Sequence, residues 1–201
     1  MSRSWVGLAI VIVIIVVIVA WVAGTYNNLV AQDQAVQSQW GTVESVYQRR
    51  ADLIPNLVAT VKGVANFEKS TYISVANARA RVGQVTVSAG QNALSNPAAF
   101  AQFEQAQAGL SSALSRLLAV VENYPDLKAN QNFLDLQAQL EGTENRIAVE
   151  RRRYNEVAQA FNTTRQSFPT VVIAGLFGDR FKVKPYFKAQ EGTQNAPKVT
   201  F

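Results

Sequence analysis

RRADLIPNLVATVKG, Arg49–Gly63, is the stretch that decides how this chain is divided into helices. Its apolar residues fall at helical spacing, yet Pro55 stands inside it. Inside a helix a proline removes one hydrogen bond and crowds the carbonyl four residues back; in a first turn it costs little. One reading therefore starts a helix at Leu53, with Asp52 as N-cap and Pro55 in the first turn. The Asp52 carboxylate then suits the positive end of that helix, and Arg49 and Arg50 suit the C-terminus of the one before. The other reading keeps a single helix through the stretch, kinked at Pro55. Both explain the charges without catalysis, and both make the stretch a junction or hinge.

Upstream, WVGLAIVIVIIVVIVAWVAG runs from Trp5 to Gly24 without a charge. Twenty helical residues cover about 30 Å, the thickness of a bilayer's hydrocarbon core. Trp5 and Trp21 mark its ends, where indole rings prefer the interface, and serve as membrane anchors. The run is longer than a signal-peptide core, and Trp21 spoils the small-residue cleavage pattern. An uncleaved transmembrane helix is expected. Arg3 precedes it and no Lys or Arg follows until Arg49, so the amino terminus is expected in the cytoplasm and the bulk of the chain, from about residue 25 to 201, on the extracytoplasmic side.

Downstream the pattern stays helical. Tyr26, Leu29, Val30, Val36, Trp40, Val43 and Tyr47 form one apolar stripe, with no Gly-Pro break from the span. Ile54, Leu57, Val58, Val61, Ala65, Tyr72, Val75 and Ala76 form a second, fading into VGQVTVSAGQN, which reads as a loop. Asn96-Pro97 reads as an N-cap and first helical position, and Phe100, Phe103, Ala106, Leu110, Leu114, Leu117 and Val121 follow. NYPDLKAN reads as a turn. The last stripe, Phe133, Leu136, Leu140, Ile147, Tyr154, Ala158 and Phe161, belongs to a helix from about 130 to 166, ended by Pro169.

The fold expected is all-α: a transmembrane helix continuing into an antiparallel bundle of about four long helices, then an irregular tail. Residues 1–4 form a short tail, 5–24 the span, 25–167 the bundle and 168–201 a C-terminal arm. The arm is expected to pack along the bundle. The alternative dips Val171–Phe181 into the membrane interface, with Arg180, Lys182 and Lys184 at the headgroups.

Composition narrows the chemistry. The 201 residues include no Cys and no His, which removes thiol nucleophiles, disulfides, imidazole triads and imidazole or thiolate zinc sites. No Gly-rich phosphate loop appears. Glu141 and Glu144 lie three apart on a helix, but neighbouring Arg146 and Arg151 favour their ionised forms. No enzyme, cofactor or metal is expected. The net charge of +5 is modest and lacks interleaved aromatics, so lipid headgroups fit it better than nucleic acid.

YNNLVAQDQAVQSQW (Tyr26–Trp40), RRADLIPNLVATVKG, ENRIAVERRRYNEVAQAFNTTRQSFP (Glu144–Pro169) and the closing APKVTF together resemble the LemA family of bacterial membrane proteins. The resemblance covers nearly the whole chain in order. It implies a single-pass membrane protein with a helical-bundle domain. Some members of the family resemble proteins of membrane remodelling and organelle formation, and some are encoded near membrane metalloproteases.

Several polar residues interrupt the apolar stripes. Glu144 and Arg151 lie on the stripe of the last helix with Tyr154, and Asp33 interrupts that of the first. Buried charges need partners, so Glu144 and Arg151 are expected either to reach Arg50 and Asp52 across the bundle or to snorkel to water. Arg151–Arg153 reads as a solvated face. Arg49, Arg50, Asp52, Pro55, Asn56, Glu144, Asn145, Arg151 and Tyr154 are thus the candidate structural or interaction residues. The function expected is a non-catalytic scaffold that self-associates and organises the bilayer. The alternative is an adaptor that binds another membrane protein, such as a protease.

Overall fold

Arg49–Lys62 belongs to one helix. In the computed structural model, which describes residues 3–64 and 67–188, α1 runs from Arg3 to Lys62 with Pro55 inside it. At about 1.5 Å per residue its 60 residues extend about 90 Å. It is followed by α2 (Lys69–Ala89), a 3-10 turn (Gly90–Leu94), α3 (Pro97–Val121), the single turn α4 (Pro125–Lys128), α5 (Gln131–Gln166), α6 (Thr170–Leu176) and a second 3-10 turn (Gly178–Phe181). No strand occurs among the described residues. Ala65 of the second stripe, residues 1–2 and the arm beyond Lys188, with its APKVTF ending, lie outside the described residues.

Of the two readings of RRAD, the structure has the single helix through Pro55, and the one that starts a new helix at Leu53 is corrected. Asp52 caps nothing: it is exposed and accepts from Gln48 Nε2 at 2.7 Å within α1. Pro55 is tolerated for two reasons. The proline has no N–H for the carbonyl of Ala51, and Arg79 of α2 donates its Nε to that carbonyl at 2.9 Å. Ile54 and Leu57 beside it are buried, each contributing about 1.5–3 kcal/mol. Together these offset an interior-proline cost of about 3 kcal/mol. The break falls later, after Lys62, so the second stripe is split between the end of α1 and α2.

The expected loop at VGQVTVSA is the last two turns of α2. Its β-branched residues and Ser cost only about 0.5 kcal/mol each in helix propensity. Burial of Val82, with Val85 packed on both apolar clusters, exceeds that. The helix ends where Gly90 takes φ = +36°, a conformation that favours glycine. Asn96 caps α3 through Oδ1, accepting from the N–H groups of Ala98 and Ala99, with Pro97 in the first turn. Asn130 caps α5 by accepting from Phe133 N–H.

Packing follows seven-residue spacing. On α1, Leu29, Asp33, Val36, Trp40, Val43, Tyr47, Arg50, Ile54, Leu57 and Val61 alternate at four and three residues. On α3, Phe100, Phe103, Gln107, Leu110, Leu114, Leu117 and Val121 do the same and all are buried. On α5, Phe133, Leu140, Ile147, Tyr154 and Phe161 recur every seven residues. Such seams keep one face toward the partner helices. Trp40 meets Phe100 and Phe103 of α3 and Tyr154 of α5, while Leu29 shares a cluster with Phe161. So α3 runs parallel to α1, and α5 antiparallel.

These pairings divide the domain in two. Above Trp40, α1, α2, α3 and α5 form a four-helix head. Below it, toward the apolar end of α1, α2 and α3 are replaced. There α1 and α5 form a two-helix stalk, clad by α6 and by the extended residues 182–188. Among the described residues the tail is thus partly helical, and only residues 182–188 form an extended arm. The apolar segment makes no use of this core: the large hydrophobic side chains from Trp5 to Trp21 are all exposed. This is the one candidate membrane-crossing helix among the described residues.

The role of Arg79 is testable by a double-mutant cycle. Arg79→Ala is expected to cost about 1.5 kcal/mol by leaving the Ala51 carbonyl short of a donor. In a Pro55→Ala background the restored N–H supplies the bond, and the cost should fall by about 1 kcal/mol. Urea unfolding of the four proteins checks this; strictly additive costs would show that Arg79 does not stand in for the missing amide.

Candidate functional site

Two polar sites are built into the apolar seams. The first lies in the head. Arg50 occupies a seam position on α1 and is only 2% exposed. Its Nη1 donates to Ser111 Oγ at 2.8 Å and to Glu144 Oε2 at 2.9 Å. Nη2 donates to the side chain of Gln107 at 2.6 Å and to its carbonyl at 3.3 Å. The guanidinium also lies 5.1 Å over the Tyr47 ring. Gln107 is the polar residue of the α3 seam, so the two helices place their exceptions in one layer. Glu144 is not a core residue: its side chain is 49% exposed and reaches in from the rim of α5. A charge-assisted pair of this kind holds three helices at one register.

Beside this layer a groove of about 1030 Å³ opens between α1, α3 and α5, lined by Arg116, Glu144, Arg151 and Lys188 among others. Arg151 is not part of a solvated face. It donates to the Lys188 carbonyl at 2.8 Å and pairs with Glu104 at 3.4 Å, and its guanidinium lies 4.7 Å over Phe187. Arg152 and Arg153 are exposed, Arg153 pairing with Glu150 at 2.7 Å. Desolvation raises the Glu104 carboxyl above its ordinary range, against the pull of the Lys188 amide and Arg151.

The second site is the latch that holds the arm. Asn162 donates Nδ2 to the Lys184 carbonyl at 2.9 Å and accepts from the Lys184 amide at 2.8 Å. Asn155 does the same for Phe187, at 2.9 Å in both directions. The spacing explains the fit. Seven helical residues rise about 10.5 Å, and three extended residues span about 10 Å. Two asparagines two turns apart on α5 therefore meet the backbone of an extended segment at points three residues apart. Between them the Tyr154 hydroxyl donates to the Pro185 carbonyl at 3.1 Å. Burial pushes the Tyr154 phenol far above its ordinary pKa, so it stays a donor. Phe187 inserts among Trp40, Phe100 and Tyr154.

For Lys184 the latch overturns the alternative that placed it at the membrane interface. It does not face headgroups: its ammonium is buried and pairs with Asp33 of α1 at 2.6 Å, 5.2 Å over the Phe161 ring. Asp33, the charged exception in the α1 seam of the stalk, accepts from Gln37 as well. Of the sequence candidates, the structure brings together Arg50 and Glu144, and separately Arg151 and Tyr154 at the arm. Arg49, Asp52, Asn56 and Asn145 are exposed and join neither site. Sequence reasoning missed Gln107, Arg79, Asn155, Asn162 and Glu104. The signal for Gln107 was its place in an otherwise apolar heptad; for the asparagines it was their spacing of seven beside a core tyrosine.

A family model described as the LemA family matches residues 39–201, which covers the head, the latch and the arm. The chain belongs to the LemA family. Magnetosome protein MamQ 2 of Paramagnetospirillum magneticum is 28% identical over 181 residues, covering 81% of this chain and 64% of that protein. Magnetosome protein MamQ of Magnetospirillum gryphiswaldense is 27% identical over 180 residues with the same coverage. Protein LemA of Metamycoplasma hominis is 23% identical over 151 residues, covering 75% of this chain. The matched region is 64% of the length of each of these relatives. With its exposed apolar helix, this LemA-family chain is a membrane-associated helical protein.

Two outcomes are expected. Glu144→Ala should cost about 2 kcal/mol in urea unfolding, because it leaves a buried cation without its carboxylate. Arg50→Met should cost less in that background than alone; additive costs would mean that Glu144 does not compensate Arg50. Separately, replacing Asn155 and Asn162 by Ala should speed hydrogen exchange at the Lys184 and Phe187 amides about tenfold or more, the equivalent of about 1.4 kcal/mol. The α5 amides should keep their protection.

Proposed function

We propose that this protein is a non-catalytic, single-pass membrane scaffold that self-associates through its helical domain and organises the bilayer in which it stands. One observation carries the reading. The apolar segment and the core seam are parts of a single unbroken helix, α1, so the domain has no flexible linker to the membrane. A force or contact on the head is then transmitted to the bilayer, as a membrane-organising device needs. The composition supports the non-catalytic part, since it holds no imidazole and no thiol. The MamQ relatives, named as magnetosome proteins, support a role in a bacterial membrane structure.

In this reading the lipid bilayer and further copies of the chain are the partners. The amino terminus faces the cytoplasm and the head the other side, in keeping with Arg3 before the span. The groove beside Arg50 favours a second reading, in which an extended segment of another membrane protein lies against Arg116, Arg151 and Lys188 and the chain acts as its adaptor.

Imaging and cross-linking of the full-length chain in mild detergent test the scaffold. Regular assemblies or cross-linked ladders are expected, and they should be reduced for a chain beginning at Thr25. Strictly monomeric full-length protein would sink self-association, and a stoichiometric co-purifying membrane protein would then support the adaptor. Because the chain has no native cysteine, Ser115→Cys reports orientation: a membrane-impermeant maleimide should label it in intact spheroplasts. Labelling only after lysis would reverse the topology.

A further inference from the structure

The elbow between α5 and the arm is the most apolar exposed surface outside the span. Val172 and Leu176 lie four apart on α6 and are 56% and 77% exposed, with Phe168, 83% exposed, just before the helix and Val171 and Phe177 beside them. The other exposed large hydrophobics beyond the span among the described residues, such as Ile73, Val87 and Leu134, are scattered. A contiguous patch of this kind marks a binding surface. The elbow is also firmly placed. Ile173 and Ala174, on the opposite side of α6, are buried against the stalk, and Arg165 of α5 donates to the Phe181 carbonyl.

Its position names the occupant. Tyr26 lies two residues past Gly24, the last residue of the apolar run, about 3 Å further along the helix axis. The Phe177 ring is 4.7 Å from that of Tyr26, and Phe181 is 5.6 Å from it. The guanidinium of Arg180 lies 5.7 Å over the same ring. α5 runs antiparallel to α1, so its last turn reaches the same level. The elbow is therefore held at the height where α1 leaves the hydrocarbon, with Trp21 just below it. An apolar face at that level, with Arg180 and Lys182 at its edge, has the composition of an interfacial segment.

We propose that the Phe168–Phe177 elbow is a foot that inserts its apolar face into the lipid interface, giving the domain a second point of attachment beside α1. A short segment could not recruit a free protein to lipid. Here the span already holds it at the surface, so its effective concentration there is high and little apolar area is enough. One attachment leaves the stalk free to tilt and to rotate about α1. Two attachments fix both, and thus determine which face of the head meets a neighbour. Unlike α1, the foot enters one leaflet only, so it adds volume to that leaflet alone.

The proposal rests on α1 spanning the bilayer, and the test separates the two. Single cysteines are placed at Leu176, at Val13 in the span and at Val87, which is 88% exposed in the head. Each full-length protein carries an environment-sensitive fluorophore and is reconstituted into vesicles of phosphatidylcholine and phosphatidylglycerol, with or without lipids bearing a quencher near the headgroup or in mid-chain. The Val13 probe should be quenched from mid-chain; if it reports water, the span itself is wrong. Given a membrane-buried Val13, the Leu176 probe should be blue-shifted and quenched severalfold by the shallow quencher, and the Val87 probe by neither. A Leu176 probe in water overturns the foot. So does a blue-shifted probe that no lipid quencher reaches and that depends on protein density, which would put a second copy there. Replacing Phe168 and Val172 by Ser, both exposed and outside the core, should return the Leu176 probe toward water while leaving circular dichroism unchanged; persistent quenching would also overturn the proposal.

Discussion

One helix, α1, has to satisfy two environments, and the rest of the molecule follows from that constraint. Its first third presents apolar side chains on every side, as a lipid-facing helix must. Its remainder presents a single heptad seam to the apolar core of the helical domain. A helix of this length tolerates a proline only where something else repairs the backbone. Arg79 does so at Ala51, and in doing so ties α2 to α1 at the middle of the head. The feature that looked like a break in the chain is instead a point of cross-linking between two helices.

The polar layer is best understood as a device of register. Apolar heptads slide past one another by a turn at little cost, because one leucine resembles the next. A guanidinium buried on α1 cannot slide, since only one register gives it Gln107 and Ser111 from α3 and Glu144 from α5. Its burial adds little net stability, and replacement by a hydrophobe of like volume is often neutral or better in such sites. Its use lies in excluding neighbouring registers. The Asp33–Lys184 pair does the same for the arm on the stalk.

The stalk shows how a chain completes a core when it runs short of helix. Below Trp40 the α1–α5 pair has apolar surface left over, and α2 and α3 are not there to cover it. Seven extended residues, 182–188, substitute for a helix, with Lys184 and Phe187 turned inward after the buried Phe181. An extended segment brings unpaired backbone groups, and Asn155, Asn162 and Tyr154 satisfy the amides and carbonyls on its inner side. The arm thereby links the head, at Arg151 and Glu104, to the elbow at α6.

The sequence by itself determined the class of structure. Hydropathy without charge from Trp5 to Gly24 specifies a helix long and apolar enough to cross a membrane, and apolar periodicity specifies long helices with Asn96 and Asn130 as caps, because these are local properties of the chain. Where α1 ended was not legible. Asp52 and Pro55 make a good helix start by local rules, and the donor from α2, 28 residues away, together with burial of Ile54 and Leu57, tips the balance toward continuity. The same holds for VGQVTVSA, whose weak propensity is outweighed by burial against helices distant in sequence. The tertiary structure alone decided that Arg50 is inside and Asp52 outside, that Lys184 pairs with Asp33 rather than with lipid, and that the tail splits into an elbow and an arm. Each of these depends on a partner brought near by folding, and no window of the sequence contains both members of the pair.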